Sequence, residues 1–299
     1  MRSLVALDWG TSSLRAALID AGGRVLQERS MPQGILSVPA GGFPAVFQDV
    51  CGDWMRGAGA LALICGMAGS RQGWIEAPYC PCPADFADVA SRLAWIEPGR
   101  IAMVPGLCCE DRGVPDVLRG EETQVFGALS LLGIASGSGS VVLPGTHSKW
   151  VRVADGRIES FSTFMTGEIY ALLRQHSILA RTMPPADGEL QHEAFQRGIE
   201  HARQSGTLLH AAFSARTLSL FDRLPPTALP SYLSGLVIGE ELRAQDFAAL
   251  SGPVVVVGSP ALTERYELAL QGIGVPVLRA GPEAAWRGLW AIARTLEGS

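Results

Sequence analysis

The sequence predicts an α/β protein of two domains, and three observations carry that prediction. Short apolar runs alternate with longer stretches of helical periodicity. A Gly-Thr hairpin stands near the start of the chain, at Gly10-Thr11, and again near its middle, at Gly145-Thr146. The length of 299 residues, 47% hydrophobic and 18% charged, exceeds one small core and describes a well-buried globular chain.

The elements follow in order. Leu4–Leu7 is a nearly continuous apolar run suited to a central strand, Leu14–Ile19 is its hairpin partner, and Val25–Arg29 follows the Gly22-Gly23 turn as a third strand. Phe43–Met55 has helical spacing and ends near Gly57. Leu61–Cys65 reads as a buried strand, Asp85–Trp95 as a helix capped by Asp85, and Ile101–Val104 as a strand. Cys108–Pro115 is polar and reads as a loop. A helix opens at Gly120-Glu121-Glu122 and stops at Gly133, and Ser136-Gly137-Ser138-Gly139 makes a connector. The second hairpin comes next, then helices over Glu168–Leu179, His192–Arg203, Leu208–Arg223 and Ser231–Phe247, punctuated by Pro184-Pro185 and Pro225-Pro226. Strand Val254–Val257, helix Ala261–Gln271, strand Val275–Leu278 and a helix from Glu283 to Thr295 finish the chain. The domain boundary falls between residues 122 and 135, giving domains 1–122 and 123–299.

Composition narrows the function. A net charge of −5 argues against nucleic acid as the main partner, so a site for an anion must gather positive charge locally. No apolar run approaches the roughly 18 residues of a membrane span. The N-terminus enters a strand directly, which points away from secretion. The six cysteines (Cys51, Cys65, Cys80, Cys82, Cys108 and Cys109) show no paired ligand spacing and read as reduced, cytoplasmic and mostly structural. His147, His176, His192, His201 and His210 show no ligand spacing either. Of 24 basic residues only Lys149 is lysine. Either arginine-rich codon usage left one lysine by chance, or this position just after Gly-Thr needs a compact ammonium.

The two hairpins match beyond Gly-Thr. The first runs Leu4-Val5-Ala6-Leu7-Asp8-Trp9-Gly10-Thr11-Ser12-Ser13-Leu14-Arg15, and the second Val141-Val142-Leu143-Pro144-Gly145-Thr146-His147-Ser148-Lys149-Trp150. The same interval separates Thr11 from Asp20 and Thr146 from Asp155. Glycine lets a backbone approach phosphate oxygens, to which the following amides and hydroxyls donate. Two such bends can hold a nucleoside triphosphate from both sides. Asp8, at the strand end, suits Mg²⁺ held through water, while a plain Asp-initiated turn is the alternative. No G-x-x-x-x-G-K-[ST] or G-x-G-x-x-G occurs at either hairpin, which excludes a P-loop and leaves a dinucleotide site unsupported.

Phosphoryl transfer also needs a group that takes the acceptor's proton. Glu121 and Glu122 open a helix at the expected boundary. One reading makes them base and neighbour, the other makes them complements to the helix dipole. Arg119 beside them pairs with them or binds an acidic substrate. Gly66-Met67-Ala68-Gly69-Ser70-Arg71-Gln72-Gly73-Trp74 follows a strand as a substrate loop does; Arg71 either grips a carboxylate or stands solvated. Met165-Thr166-Gly167-Glu168 reads as a helix cap. Gly258-Ser259 reads as an adenosine contact or a tight turn.

These blocks together resemble the actin, heat-shock-chaperone and sugar-kinase superfamily, and within it the 2-dehydro-3-deoxygalactonokinase family. Asp8-Trp9-Gly10-Thr11-Ser12-Ser13-Leu14-Arg15, Gly66–Ser70 with Gly73-Trp74, Pro105-Gly106-Leu107-Cys108, Arg119-Gly120-Glu121-Glu122-Thr123-Gln124, Pro144–Val151, Met165–Glu168 and Ser234–Gly239 carry it in order. The resemblance implies two ribonuclease-H-like domains, the N-terminal one binding substrate and the C-terminal one nucleotide, with ATP in the cleft between them. It implies ATP- and Mg²⁺-dependent phosphorylation of the terminal hydroxyl of 2-dehydro-3-deoxy-D-galactonate, in the cytoplasm. Catalytic roles fall to Glu121, Asp8 (the metal's carboxylate) and Lys149. Nucleotide contacts fall to Gly10, Thr11, Ser12, Ser13, Arg15, Gly145, Thr146, His147, Ser148, Gly258 and Ser259. Substrate contacts fall to Ser70, Arg71, Trp74, Arg119 and Glu122. Related sugar kinases place an Asp where Glu121 stands, which leaves Glu121 and Glu122 both open as base. The epimeric gluconate substrate, a phosphatase of the same superfamily and a nucleotide-driven binding module are the rivals. No nucleic-acid or membrane partner is expected, and a homodimer stays open.

Overall fold

The computed structural model describes residues 3–57, 59–134, 137–250 and 252–297. The first third contains β1 (Ser3–Trp9), β2 (Leu14–Asp20), β3 (Val25–Met31), α1 (Phe43–Cys51), β4 (Ala60–Cys65), β5 (Tyr79–Pro81), α2 (Phe86–Ala90), β6 (Ala94–Glu97) and β7 (Ile101–Met103). Then come β8 (Gly106–Asp111), β9 (Val114–Leu118), α3 (Glu121–Leu131), β10 (Gly139–Leu143), β11 (Ser148–Ala154) and β12 (Arg157–Phe164). The remainder is α4 (Thr166–His176), α5 (His192–Gln204), α6 (Leu208–Ala211), α7 (Ser214–Leu220), α8 (Leu229–Arg243), β13 (Val254–Val257), α9 (Pro260–Gln271), β14 (Val277–Ala280) and α10 (Ala284–Thr295).

Two sheets share one plan. The first runs β3-β2-β1-β4-β7-β6 and the second β12-β11-β10-β13-β14. Each begins with a three-strand meander whose first strand lies inside the sheet. In the first, β1 pairs antiparallel with β2 and parallel with β4, and β4 pairs parallel with β7. This repeated order is the doubled ribonuclease-H-like α/β plan, and it explains why the Gly-Thr bend occurs twice. A third, small sheet runs β5-β8-β9.

Contacts divide the chain into two units: Met1–Val141 with Val151–Ser162 and Ala280–Ser299, and Val142–Trp150 with Thr163–Arg279. This is not a single cut after residue 122, because α3 packs with the C-terminal α10 inside the first unit. At that crossing a Cβ on Gly127 would sit inside the carbonyl of Ala284, and one on Gly288 inside that of Thr123. Glycine on both helices is what permits the approach. The first unit's core gathers Val5, Leu7 and Trp9 of β1 with Phe47, Ile64 and Met103. In the second unit α5 packs on α8, whose residues Tyr232, Leu233 and Leu236 are buried. No helix of the described residues is long and apolar enough to cross a membrane.

Several elements differ from expectation. Asp85 does cap α2, in a capping box with Asp88, but the helix ends at Ala90 and β6 follows, drawn into pairing with β7. Cys108–Pro115 is not a loop. Cys108, Cys109 and Glu110 pair with Val117, Asp116 and Pro115 across a turn at Arg112-Gly113, and the edge position of β9 tolerates the proline. Leu208–Arg223 is two helices, the first begun by Thr207, whose Oγ accepts from the His210 amide. The last strand is shifted to Val277–Ala280. Ser136 of the expected connector lies outside the described residues.

Candidate active site

The first unit brings the ends of β1 and β4 and the start of α3 together. Gly66 (φ 93°) and Gly120 (φ 102°) occupy left-handed backbone that glycine adopts without penalty. A Cβ on Gly66 would stand 2.8 Å from the Trp9 carbonyl, and one on Gly120 would stand 3.0 Å from Gly66 Cα. Both glycines were legible as motif members, but only the structure shows that they meet.

Asp8 and Arg15 are cross-strand partners on β1 and β2, with Arg15 Nη2 2.5 Å from Asp8 Oδ2. The guanidinium also lies 5.2 Å over the Trp286 ring. In the bend itself the Gly10 amide donates to the Ser13 carbonyl at 2.9 Å. The Gly10 and Thr11 carbonyls accept from the amides of Ile35 and Leu36. Thr11, Ser12 and Ser13 are exposed. The carbonyls of Gly10, Thr11 and Ser13 are thus taken by backbone amides, while the hydroxyl-bearing residues of the bend stay exposed.

Arg71 and Arg119, both expected at the substrate, stand in different environments. Arg71 is 87% exposed and paired with Glu76 at 2.9 Å. Arg119 is buried; its Nη2 donates to the Ala77 carbonyl at 2.9 Å and its guanidinium lies 4.3 Å over the Tyr79 ring. Its Nε and Nη1 are buried without a partner, as are Ser70 Oγ and Glu122 Oε1. A Cβ on Gly69, the neighbour of Ser70, would meet Arg119 Nη1 at 2.9 Å, so these groups share one neighbourhood. Trp74 packs on Phe47 and Trp9 at 5.5 and 6.4 Å and supports the loop from its core side.

Glu121 and Glu122 differ in environment. Glu121 Oε2 accepts from the Arg119 amide at 2.8 Å, and Glu122 Oε2 from the Gly120 amide at 2.7 Å. Glu121 is half-buried whereas Glu122 is fully enclosed. Burial, helped by the charge of Glu121, pushes the Glu122 carboxyl up to about 8. Thr123 completes the turn, donating to the Gly120 carbonyl at 2.7 Å.

The second unit holds the other bend. A Cβ on Gly167 would fall inside the Gly145 carbonyl, and the Glu168 amide donates to the Thr146 carbonyl at 3.0 Å. Met165 is the N-cap of α4, without a side-chain bond, and the segment presses the start of α4 onto the bend. His147 is exposed and its Nε2 lies 2.6 Å from Glu168 Oε2. Lys149 is buried on β11, and its Nζ donates to Thr163 Oγ1 on β12 at 2.7 Å. Gly258 lies against Pro144, and Ser259 caps α9 through its carbonyl, which accepts from Leu262 and Thr263. A cavity of about 250 Å³ opens beside these groups, lined by Pro144, Gly145, Gly167, Ser234, Leu262 and Arg265 among others. Its mixed apolar and polar lining suits a nucleoside.

One buried carboxylate here escaped the sequence reading. Glu241 on α8 accepts from Ser148 Oγ at 2.8 Å, Trp150 Nε1 at 2.6 Å, the Tyr266 hydroxyl at 2.7 Å and Thr166 Oγ1. Glu240 stands directly before it and Arg243 two residues after it on the same helix, so no local signal sets Glu241 apart.

The doubled plan and its two glycine-threonine bends define the actin, heat-shock-chaperone and sugar-kinase class of α/β proteins. A family model described as 2-keto-3-deoxy-galactonokinase matches residues 8–292. The chain is 39% identical to a Rhizobium meliloti (strain 1021) protein assigned as the 2-dehydro-3-deoxygalactonokinase DgoK1, covering 96% of this chain and 97% of that one. It is 34% identical to the 2-dehydro-3-deoxygalactonokinase of Escherichia coli (strain K12), covering 98% of each. A crystal structure assigned to a 2-dehydro-3-deoxygalactonokinase protein from Sinorhizobium meliloti superposes with a TM-score of 0.90 at 38% identity, covering 98% of this chain and 99% of that one. The chain belongs to the 2-keto-3-deoxy-galactonokinase family.

Proposed function

We propose that this chain is an ATP-dependent kinase that phosphorylates the terminal 6-hydroxyl of 2-dehydro-3-deoxy-D-galactonate in galactonate breakdown. Its family and its curated relatives carry the name of that activity. The observation that supports the acceptor side is Arg119, a buried cation with two unpaired N–H-bearing nitrogens beside Ser70 and two acids. Buried donors of this kind are rarely left without a partner, and a sugar-acid carboxylate supplies the missing acceptors. Arg119 is thus assigned the carboxylate in preference to Arg71, whose charge is already answered at the surface.

The remaining roles follow from position. Glu121 accepts the proton of the attacking hydroxyl. Glu122, protonated at neutral pH, adds no second negative charge beside it. The bends at Gly10–Ser13 and Gly145–Ser148 donate to phosphate oxygens. Lys149 adds fixed positive charge on the strand leaving the second bend. The cavity beside Gly145 takes the nucleoside; Gly258 lies against Pro144, one of its lining residues.

Magnesium binds through one or two carboxylates and keeps several waters when it accompanies a nucleotide. Asp8, already paired with Arg15, fits a contact through water, and among the described residues no three His, Cys, Asp or Glu side chains converge as a full cage. When bound there with ATP, the ion offsets phosphate charge. All six cysteines are free, which accords with a reducing, cytoplasmic setting.

The test is an acceptor panel. The protein, ATP and magnesium are incubated with 2-dehydro-3-deoxygalactonate, its gluconate epimer or no acceptor, and the product is located by phosphorus NMR. A 6-phosphate formed fastest on the galactonate compound supports the proposal. Faster gluconate turnover reassigns the substrate, and phosphate released equally without acceptor means a phosphatase.

A further inference from the structure

We infer that Glu241 is a positioning residue that sets the second Gly-Thr bend for nucleotide phosphates. This rests on the reading of that bend as an ATP contact. Each carboxylate oxygen takes two donors. Oε1 accepts from Ser148 and Trp150, both on β11, the strand that leaves the bend. Oε2 accepts from Thr166, the first residue of α4, and from Tyr266 on α9. The Tyr266 hydroxyl also lies 3.2 Å from Ser148 Oγ, closing the network.

The three elements tied to Glu241 are the ones that shape the bend and the cavity beside it. Gly167, next to Thr166, presses on the Gly145 carbonyl. Leu262 and Arg265 of α9 line the cavity together with Thr166 and Tyr266 themselves, and α8 adds Ser234, Val237 and Ile238. A side chain serving only the core would not need four polar partners from three elements. An apolar residue would fill the space at lower desolvation cost. A fully satisfied buried network fixes one arrangement of its members, here the register between bend, α4 and α9.

The variant Glu241→Gln keeps the shape. Its carbonyl oxygen still accepts from Ser148 and Trp150, while its amide nitrogen stands where Oε2 accepted, so the bonds donated by Thr166 and Tyr266 are both lost. Thr166→Val removes a single donor and serves as a second, milder variant. ATP binding is measured by calorimetry with nucleotide alone, and ADP release is measured with each substrate varied in turn, on folded protein checked by thermal melting. The expected result is a roughly 10-fold or larger loss in ATP affinity and a matching rise in the KM for ATP. The KM for the sugar acid stays unchanged, and Thr166→Val shows the same split more weakly. Unchanged ATP affinity in both folded variants, or equal increases in both KM values, overturns the inference. Wild-type protein that binds no ATP overturns the nucleotide reading itself, and with it this proposal; wild-type binding unaffected by the variants overturns the role of Glu241 alone.

Discussion

The Arg119 guanidinium lies over the Tyr79 ring at 4.3 Å, one nitrogen fixed on the Ala77 carbonyl and two others buried without a partner. Ring and carbonyl orient a cation whose remaining donors await an acceptor. Arg119→Lys keeps the charge but loses the planar fork and the stacking. It is expected to raise the KM for the sugar acid by about 10-fold or more, in line with a lost charge-assisted contact. Arg71→Ala should change it little. Steady-state kinetics on both variants decide the matter; the reverse order would assign the carboxylate to Arg71.

Glu121→Gln removes the proposed base while keeping an oxygen for the Arg119 amide. Turnover should drop by about 10²–10⁴-fold with modest change in ATP binding. Near-normal turnover would take Glu121 out of that role.

Glu122 gives a pH signature of stability. Its folded-state carboxyl lies at about 8 against an ordinary 4.5, so the folded chain holds a proton that the unfolded chain has released. The resulting stabilisation is complete below the ordinary value and is lost as pH rises through about 8. Glu122→Gln cannot ionise, so its unfolding free energy relative to wild type should climb steadily between pH 5 and pH 8, at a rate bounded by about 1.4 kcal/mol per pH unit. Parallel curves would mean that Glu122 is not held protonated.

Much of this was legible in the sequence, and the parts that were not share a cause. Both hairpins announced themselves because apolar runs, glycine and hydroxyls are adjacent in sequence. The β8–β9 hairpin did not, because Cys108–Pro115 carries no buried alternation and pairs at a sheet whose edge faces solvent. Helix Asp85–Trp95 was drawn too long because its cap is local while the pairing of Trp95 with Ala102 is tertiary. Glu241 was invisible for the same reason: Ser148, Trp150 and Thr166 lie far from it in sequence, and nothing local distinguishes it from an exposed helical acid. The arginine choice, too, turned on Ala77 and Tyr79, which no motif includes.

The crossing of α3 and α10 is a stability prediction independent of chemistry. Gly288→Ala places a methyl inside the Thr123 carbonyl, and Gly127→Ala does so at Ala284. Each should cost about 1–3 kcal/mol through forced backbone movement. Because Thr123 lies next to Glu122, Gly288→Ala should also lower activity more than Gly127→Ala. Chemical denaturation and turnover on the same preparations test both statements.

Phosphoryl transfer to a sugar acid is read from ADP release with and without 2-dehydro-3-deoxygalactonate. Release is expected to depend on the acceptor, to saturate with it and to match phosphorylated sugar acid one for one. ADP and inorganic phosphate appearing at the same rate with no acceptor present would contradict it.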